Sequence, residues 1–322
     1  MITISLCMIV KNEEKVLARC LDSIADLMDE IIIVDTGSSD NTKEIAKKYT
    51  DKIYDFAWID DFSAARNYSF SKATKEYIYV ADADEVIDAD NHRKLAELKE
   101  VLIPEIEIVQ MRYCNQLANG TAYNFDAEYR PKLYKRQREF TWIEPVHEMV
   151  RLDPVVYDSE IDILHMPESV HSSRDFAVFQ KQIQKGQRLS KRLHHMYAME
   201  LYISGSDEDV IQAEPYFAVT ACEPDRSLDE VKEAACIVVR AARLRGDSGV
   251  ILKMCLKDLL SEGSSEMCYE LGEYFYEKKD YEESAMWYYN AMNETNSILN
   301  IHTSTDWPKA RYEEIEKIIA GK

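Results

Sequence analysis

The sequence predicts two folds in tandem: a Rossmann-like α/β domain with a mostly parallel sheet over residues 1–173, then an all-α, repeat-like helical domain over residues 174–322. Three observations predict this. In the first hundred residues, continuous apolar runs alternate with helical patterns, as in parallel strands buried on both faces. After about Arg174 the periodicity is helical throughout, with short loops between segments, as in a stack of antiparallel helices. Finally, 322 residues are too many for one average domain and comfortable for two, and a 46% hydrophobic content suffices for a core in each.

Ile2 to Val10 reads as a buried strand, followed by Lys11-Asn12-Glu13-Glu14 and a helical pattern through Leu17, Leu21, Ile24 and Leu27. A second apolar strand, Glu30 to Val34, ends at Asp35. The turn-rich loop Thr36-Gly37-Ser38-Ser39-Asp40-Asn41-Thr42 then leads into a helix, with Asn41 and Glu44 at capping-box spacing. Ile53 to Phe56 reads as a short strand and Asp61 to Lys72 as a helix. Next comes Tyr77-Ile-Tyr-Val-Ala-Asp82-Ala83-Asp84-Glu85-Val86, a buried strand running into three acids.

Crowded carboxylates lose hydration and repel one another, and a divalent cation with a taste for hard oxygen ligands relieves both penalties. If the strand continues through the acids, Asp82 and Asp84 project together, separated by roughly 6.6 Å of rise, with Glu85 facing the other way. Asp35 at a strand end suits a ribose hydroxyl or a base N–H, since ligands of open α/β sheets bind beyond the strand ends. The Gly37–Asp40 loop offers backbone N–H groups to an anion, with an ordinary capped turn as the plainer reading. Neither a G-x-G-x-x-G nor a G-x-x-x-x-G-K-[ST] motif occurs.

Composition narrows the partners. Thirty-nine basic against 59 acidic residues leave a formal charge of −20, which argues against nucleic acid, whose phosphates require basic patches. Seven scattered cysteines without a C-x-x-C pair suggest reduced core thiols in a cytoplasmic protein. The first eight or so residues are apolar, too few for a signal peptide or a membrane span.

The blocks LCMIVKNEE, DEIIIVDTGSSDNT, FSAARNYS and YVADADE, in that order and spacing, resemble the GT-A domain of family 2 glycosyltransferases. The resemblance covers roughly residues 1–90. It implies a nucleotide-sugar donor, commonly a uridine diphosphate sugar, and a manganese or magnesium ion bridging its diphosphate through the D-x-D acids, with inversion at the anomeric carbon. It also implies that the donor lies along the strand ends: Val10, Asn12 and Glu13 after the first strand, and Asp35, Gly37, Ser38 and Asp40 after the second. Arg66, Asn67, Asp82 and Ala83 follow. Negative charge grows on the departing nucleoside diphosphate, so Arg66 is a suitable grip for its phosphates. Asp84 is the expected direct metal ligand, with Asp82 on the ribose or a metal-bound water.

Short β-type runs at Ile106–Tyr113, Tyr123–Tyr129 and Lys132–Lys135 lead to Phe140-Thr-Trp142-Ile-Glu144-Pro145-Val-His147-Glu148. The His-Glu pair matches the acceptor side of the resembled family, although Glu144-Pro145 replaces the small, often glycine-containing turn expected before it. Direct inverting transfer needs a general base, for which Glu148 leads, followed by Glu144 and Glu128. A strongly acidic thiol acceptor would need little such help. His147, or else His165 in the last strand Ile161–His165, would complete the metal shell with Asp82 and Asp84.

In the helical half, Phe176 to Tyr202 reads as one long helix, interrupted by little except Gly186, with further helices near 208–222, 227–245, 248–261, 265–278, 280–293 and 308–320. Cys268 to Ala291 resembles a tetratricopeptide repeat, without the typical tryptophan or closing proline. Bacterial proteins pairing these two domains include enzymes that glycosylate peptides, some on cysteine, and builders of cell-envelope glycans. A peptide, protein or glycan acceptor is expected, or a homodimer through the helices. Two alternatives compete: a haloacid-dehalogenase-like phosphatase, which shares an apolar strand ending in D-x-D, and a catalytically inactive helical-repeat scaffold.

Overall fold

The computed structural model describes residues 1–114, 127–150, 154–166, 172–259 and 262–320. The chain separates into two compact units, Met1–His171 and Ser172–Lys322.

In the first unit, four parallel strands form one half of an eight-stranded sheet: β1 (Ile4–Val10), β2 (Glu30–Asp35), β3 (Ile53–Asp55) and β4 (Tyr77–Val80). Their apolar residues serve both faces with the period of two that a strand imposes. Ile4, Leu6, Met8 and Val10 join Ile31, Ile33, Tyr77 and Tyr79 in one core. Cys7, Ile32, Val34, Ile78 and Val80 point into a second core on the other face. Helices α1 (Leu17–Ile24), α2 (Thr42–Ala46), α3 (Phe62–Phe70) and α4 (Ala89–Val101) make the crossovers. Asp61 caps α3 by accepting from Ala64 N–H at 3.0 Å, and Asp88 caps α4 through Asn91 N–H at 2.9 Å. Asn41 precedes α2 but makes no side-chain cap; its amide instead donates to Glu14 Oε2 at 2.9 Å.

The other half of the sheet mixes directions. β5 (Glu85–Val86), β6 (Ile108–Cys114), β7 (Glu128–Lys135) and β10 (Val156–His165) complete the order β3-β2-β1-β4-β7-β6-β10-β5, with β7 antiparallel to both its neighbours. Most of the expected Tyr123–Tyr129 run lies outside the described residues. A separate ribbon pairs β8 (Trp142–Ile143) with β9 (Met149–Val150).

One local expectation changes. The strand does not continue through the acids: β4 stops at Val80, and Asp82 to Asp84 form a turn before β5. Glu85 N–H donates to Asp82 O at 3.2 Å and closes that turn. Strand parity therefore does not apply to the two aspartates.

The second unit is all helix: α5 (Ser172–Gln184), α6 (Lys191–Ile203), α7 (Asp207–Thr220), α8 (Leu228–Arg245), α9 (Ser248–Leu259), α10 (Ser265–Glu277), α11 (Tyr281–Asn293) and α12 (Asp306–Ala320). The long helix expected from Phe176 to Tyr202 is two helices. Gly186 takes a left-handed φ of 75°, and Ser190 caps the second of them. Ser206 and Ser227 build capping boxes for α7 and α8. The α10–α11 hairpin holds the repeat-like segment. A Cβ at Gly272 would lie 2.5 Å from the Tyr288 ring, so only glycine lets α11 approach this closely. Ser284 Oγ–H donates to Gly272 O at 2.8 Å across the same contact. Among the described residues, no helix is long and apolar enough to cross a membrane.

Candidate active site

The carboxyl ends of β1, β2 and β4 converge on one edge of the sheet. There the loops after β1 and β2 are laced together. Asn12, at φ 57°, accepts from Ser39 N–H at 2.8 Å through Oδ1, and its own N–H donates to Ser38 Oγ at 2.9 Å. Glu13 N–H donates to Thr42 Oγ1 at 2.7 Å, and Glu14 N–H to Asp40 Oδ2 at 3.2 Å. Burial would raise the Asp40 pKa, but hydrogen bonds from Thr42 and Glu14 outweigh it and hold the carboxyl below its usual value. Val10 is buried and takes part through its carbonyl, which accepts from Thr36 N–H at 2.9 Å.

Asp35 is fully buried. Its Oδ1 accepts from Gly37 N–H at 3.0 Å and Ser38 N–H at 2.9 Å. These N–H groups, with that of Ser39, are thus engaged inside the loop, as in a capped turn rather than an open anion cradle. Asp35 Oδ2 is buried with no hydrogen-bond donor, at a strand end where a ligand group could supply one.

Arg66 occupies the centre. It projects from α3 with its side chain only 11% exposed, donates to Asp82 Oδ1 at 3.0 Å through Nη2, and pairs through Nε with Glu148 Oε1. Its guanidinium also lies 5.2 Å from the centre of the Trp142 ring. Burial works against this cation, but Asp82 and Glu148 more than offset it and hold the guanidinium firmly charged. Burial would likewise raise the Asp82 pKa, yet Arg66 and then Lys132 reverse the sign and hold that carboxyl well below the usual carboxylate range. The partners of Arg66 lie 16 and 82 residues away in the sequence.

Neighbouring residues brace this centre. Both amide atoms of Asn67 bind the Trp142 backbone, accepting from its N–H at 2.8 Å and donating to its carbonyl at 2.9 Å. Phe62 N–H donates to Pro145 O at 2.9 Å and ties the start of α3 to the β8–β9 turn. In that turn Glu144 and His147 adopt φ of 72° and 48°. Glu144 thus occupies a left-handed conformation that a glycine reaches at lower cost.

Across the acidic turn, Asp84 Oδ2 lies 3.2 Å from His165 Nε2. The Tyr113 ring stacks obliquely on His165 at 5.1 Å and lies 3.9 Å from the Arg130 guanidinium on its other contact. Ala83 is buried between the two aspartates. Asp82 and Asp84 therefore face different partners. Among the described residues, no three His, Cys, Asp or Glu side chains gather closely enough to hold a metal by themselves. The signal that sequence reading missed is Lys132, buried on β7 and paired with the equally buried Glu85. Lys132 begins a run of three consecutive buried residues in that strand, and its partner is 47 residues away.

Residues 5–150 match the profile "Glycosyl transferase family 2", which places a family 2 glycosyltransferase domain in the first unit. That match gives no support to the phosphatase alternative. Among curated proteins, the chain is 51% identical over 85 residues to a TPR repeat-containing protein of Synechococcus elongatus, covering 26% of this chain and 21% of that protein. It is 41% identical over 102 residues to the SPbeta prophage-derived glycosyltransferase SunS of Bacillus subtilis, covering 31% and 24%. The chain thus spans less than a quarter of the length of these relatives. Among solved structures, glucosyl-3-phosphoglycerate synthase from Mycobacterium tuberculosis, in complex with Mn2+ and uridine-diphosphate-glucose, superposes with a TM-score of 0.42 at 13% identity, covering 59% of this chain and 81% of that one.

Proposed function

We propose that the chain transfers a sugar from a nucleoside-diphosphate donor, a uridine diphosphate sugar in the first instance, to a peptide, protein or cell-envelope glycan acceptor, with inversion and with help from a divalent metal. The observation that carries this reading is the acidic turn at the end of β4, where Asp84 faces His165 and Asp82 faces a buried arginine. Two protein ligands are enough for manganese or magnesium when the substrate phosphates and water complete the shell. Asp84 and His165, 3.2 Å apart, fit that role; His147, expected in the same shell, sits in the β8–β9 turn. The metal, when bound, would stabilise negative charge on the departing diphosphate.

The chain's own residues supply the remainder. Asp35, with its unsatisfied Oδ2, would receive a hydroxyl or base N–H of the nucleotide. The laced loops carrying Val10, Asn12, Glu13, Gly37, Ser38 and Asp40 would shape the nucleotide pocket, and Ala83 would lie against it. Arg66 holds Asp82 and Glu148 in register and would turn towards phosphate oxygens as charge develops there. Glu148 keeps Oε2 free of that guanidinium contact and would take the acceptor proton as the new bond forms. Asn67 contributes by fixing the ribbon that carries Trp142. The helical unit, with its tetratricopeptide-like hairpin, would bind a peptide acceptor or a second copy of the chain. The buried thiols Cys7, Cys20, Cys236, Cys255 and Cys268 support a reducing, cytoplasmic setting.

Thermal unfolding in the presence of uridine diphosphate tests the reading. Stabilisation is expected with manganese and its loss with a chelator, and 100-fold excess over Kd would add about 2.7 kcal/mol. No response to any nucleoside diphosphate would favour the inactive scaffold.

A further inference from the structure

Three carboxylates fall within four consecutive residues at the end of β4, and the structure distributes cations among them unevenly. Asp82 has the Arg66 guanidinium and Glu85 has the Lys132 ammonium. Among the described residues, Asp84 has only the imidazole of His165. Glu85 and Lys132 are 3% and 4% exposed, so their pairing takes place almost wholly out of water. Such a pair costs desolvation, and a matched apolar pair in its place is often as stable or more so. Stability alone is therefore a weak account of it.

Its location suggests a different one. Glu85 opens β5, a strand of two residues at the edge of the sheet, too short to hold its own register. In that strand Glu85 pairs with His165 of β10, while Asp84 O accepts from Met166 N–H at 2.9 Å. The Glu85 N–H closes the acidic turn on Asp82 O at 3.2 Å. The side chain then reaches to Lys132 on β7, the strand that pairs with β4 one residue further on, where Tyr79 faces Leu133. One residue thus connects the acidic turn, the strand carrying the histidine and the middle of the sheet. The Lys132 ammonium, 5.3 Å from the Tyr113 ring, also lies beneath the ring that packs on His165.

We infer that Glu85 and Lys132 are positioning residues that pin the acidic turn against β7 and β10, so that Asp84 and His165 are held at the spacing a divalent cation requires. The pair neutralises its own two charges, and Asp84 is left as the carboxylate to which an incoming cation is drawn. This inference rests on the metal-dependent reading proposed above.

The test is isothermal titration of manganese into the full chain saturated with uridine diphosphate, for the wild type and for the neutral pair Glu85→Gln with Lys132→Met. The double variant is expected to unfold at nearly the wild-type temperature, because neither charge is left unpaired. Its manganese Kd should rise about tenfold or more, while its affinity for uridine diphosphate without metal changes by less than about twofold. A merely structural pair would alter the unfolding temperature and leave the metal affinity of the folded protein unchanged. A folded double variant that binds manganese as the wild type does overturns the inference. If that variant does not fold, Glu85→Asp keeps the charge and shortens the reach by one methylene group. A rise of about fivefold in manganese Kd is then expected, and an unchanged value overturns the inference. A wild type whose uridine diphosphate binding ignores manganese overturns the proposed function itself and this inference with it.

Discussion

Arg66 is the residue whose removal the structure prices most directly. Arg66→Met keeps the length and the apolar stem but leaves Glu148, 11% exposed, and Asp82, 42% exposed, without their cation. Stripping one partner from a buried pair costs about 3–5 kcal/mol. Water reaches Asp82, so its share is cut to at most about 1 kcal/mol, and most of the loss falls on Glu148. A total near the lower end, about 3 kcal/mol at neutral pH, is expected. The pH dependence has a definite sign. Asp82 titrates in the folded protein below its ordinary value of 3.8, so its stabilising contribution is complete above about pH 4 and is lost as pH falls through the folded value. In the variant the larger part of this contribution, from Arg66, is absent, while that from Lys132 remains. The gap between the two proteins should therefore be widest near neutrality and should narrow below about pH 4. Urea unfolding followed by tryptophan fluorescence measures it, since Trp142 lies against the guanidinium. A loss under about 1 kcal/mol at neutral pH, or an equal loss at both ends of the range, would refute the reasoning.

Further expectations concern the site and the helical unit. Asp84→Ala should abolish the manganese-dependent part of uridine diphosphate binding without changing the circular dichroism spectrum; unchanged titration would remove Asp84 from the metal shell. Glu148→Gln keeps an acceptor for Arg66 and should retain donor binding while transfer falls by about 100-fold to 10,000-fold, measured as nucleotide release with acceptor present. Near-normal transfer would place the base elsewhere. Gly272→Ala would stabilise an open helix by about 1 kcal/mol. Here the added methyl meets the Tyr288 ring, whose hydroxyl is itself bound to Glu273, and a net loss of about 2 kcal/mol with a melting point about 4–8 °C lower is expected. A stabilised variant would show that the hairpin packs more loosely.

What could be read along the chain was whatever depends on near neighbours. The buried strands β1, β2 and β4 are continuous apolar runs, and their identity follows from composition over four to seven residues. Ser206 and Ser227 announce their helices three residues ahead, through Asp209 and Glu230. The capping box at Asn41 failed for a local rule's usual reason: Glu14, 27 residues away, offered the asparagine a better partner. Gly186 was visible as an interruption, but only its left-handed φ, with the serine cap after it, turns an interruption into a break.

The acidic turn shows the same division most sharply. The sequence alone determined that three acids follow a buried strand, and that such a cluster calls for cations. Which cation meets which acid was decided by tertiary structure, because β7 inserts antiparallel between β4 and β6 and brings Lys132 beneath Glu85. α3 delivers Arg66 to Asp82 and Glu148, and β10 delivers His165 to Asp84. Each pairing joins residues 16 to 82 positions apart. Charge pairing depends on distance in space, and strand order, which no local pattern encodes, sets that distance.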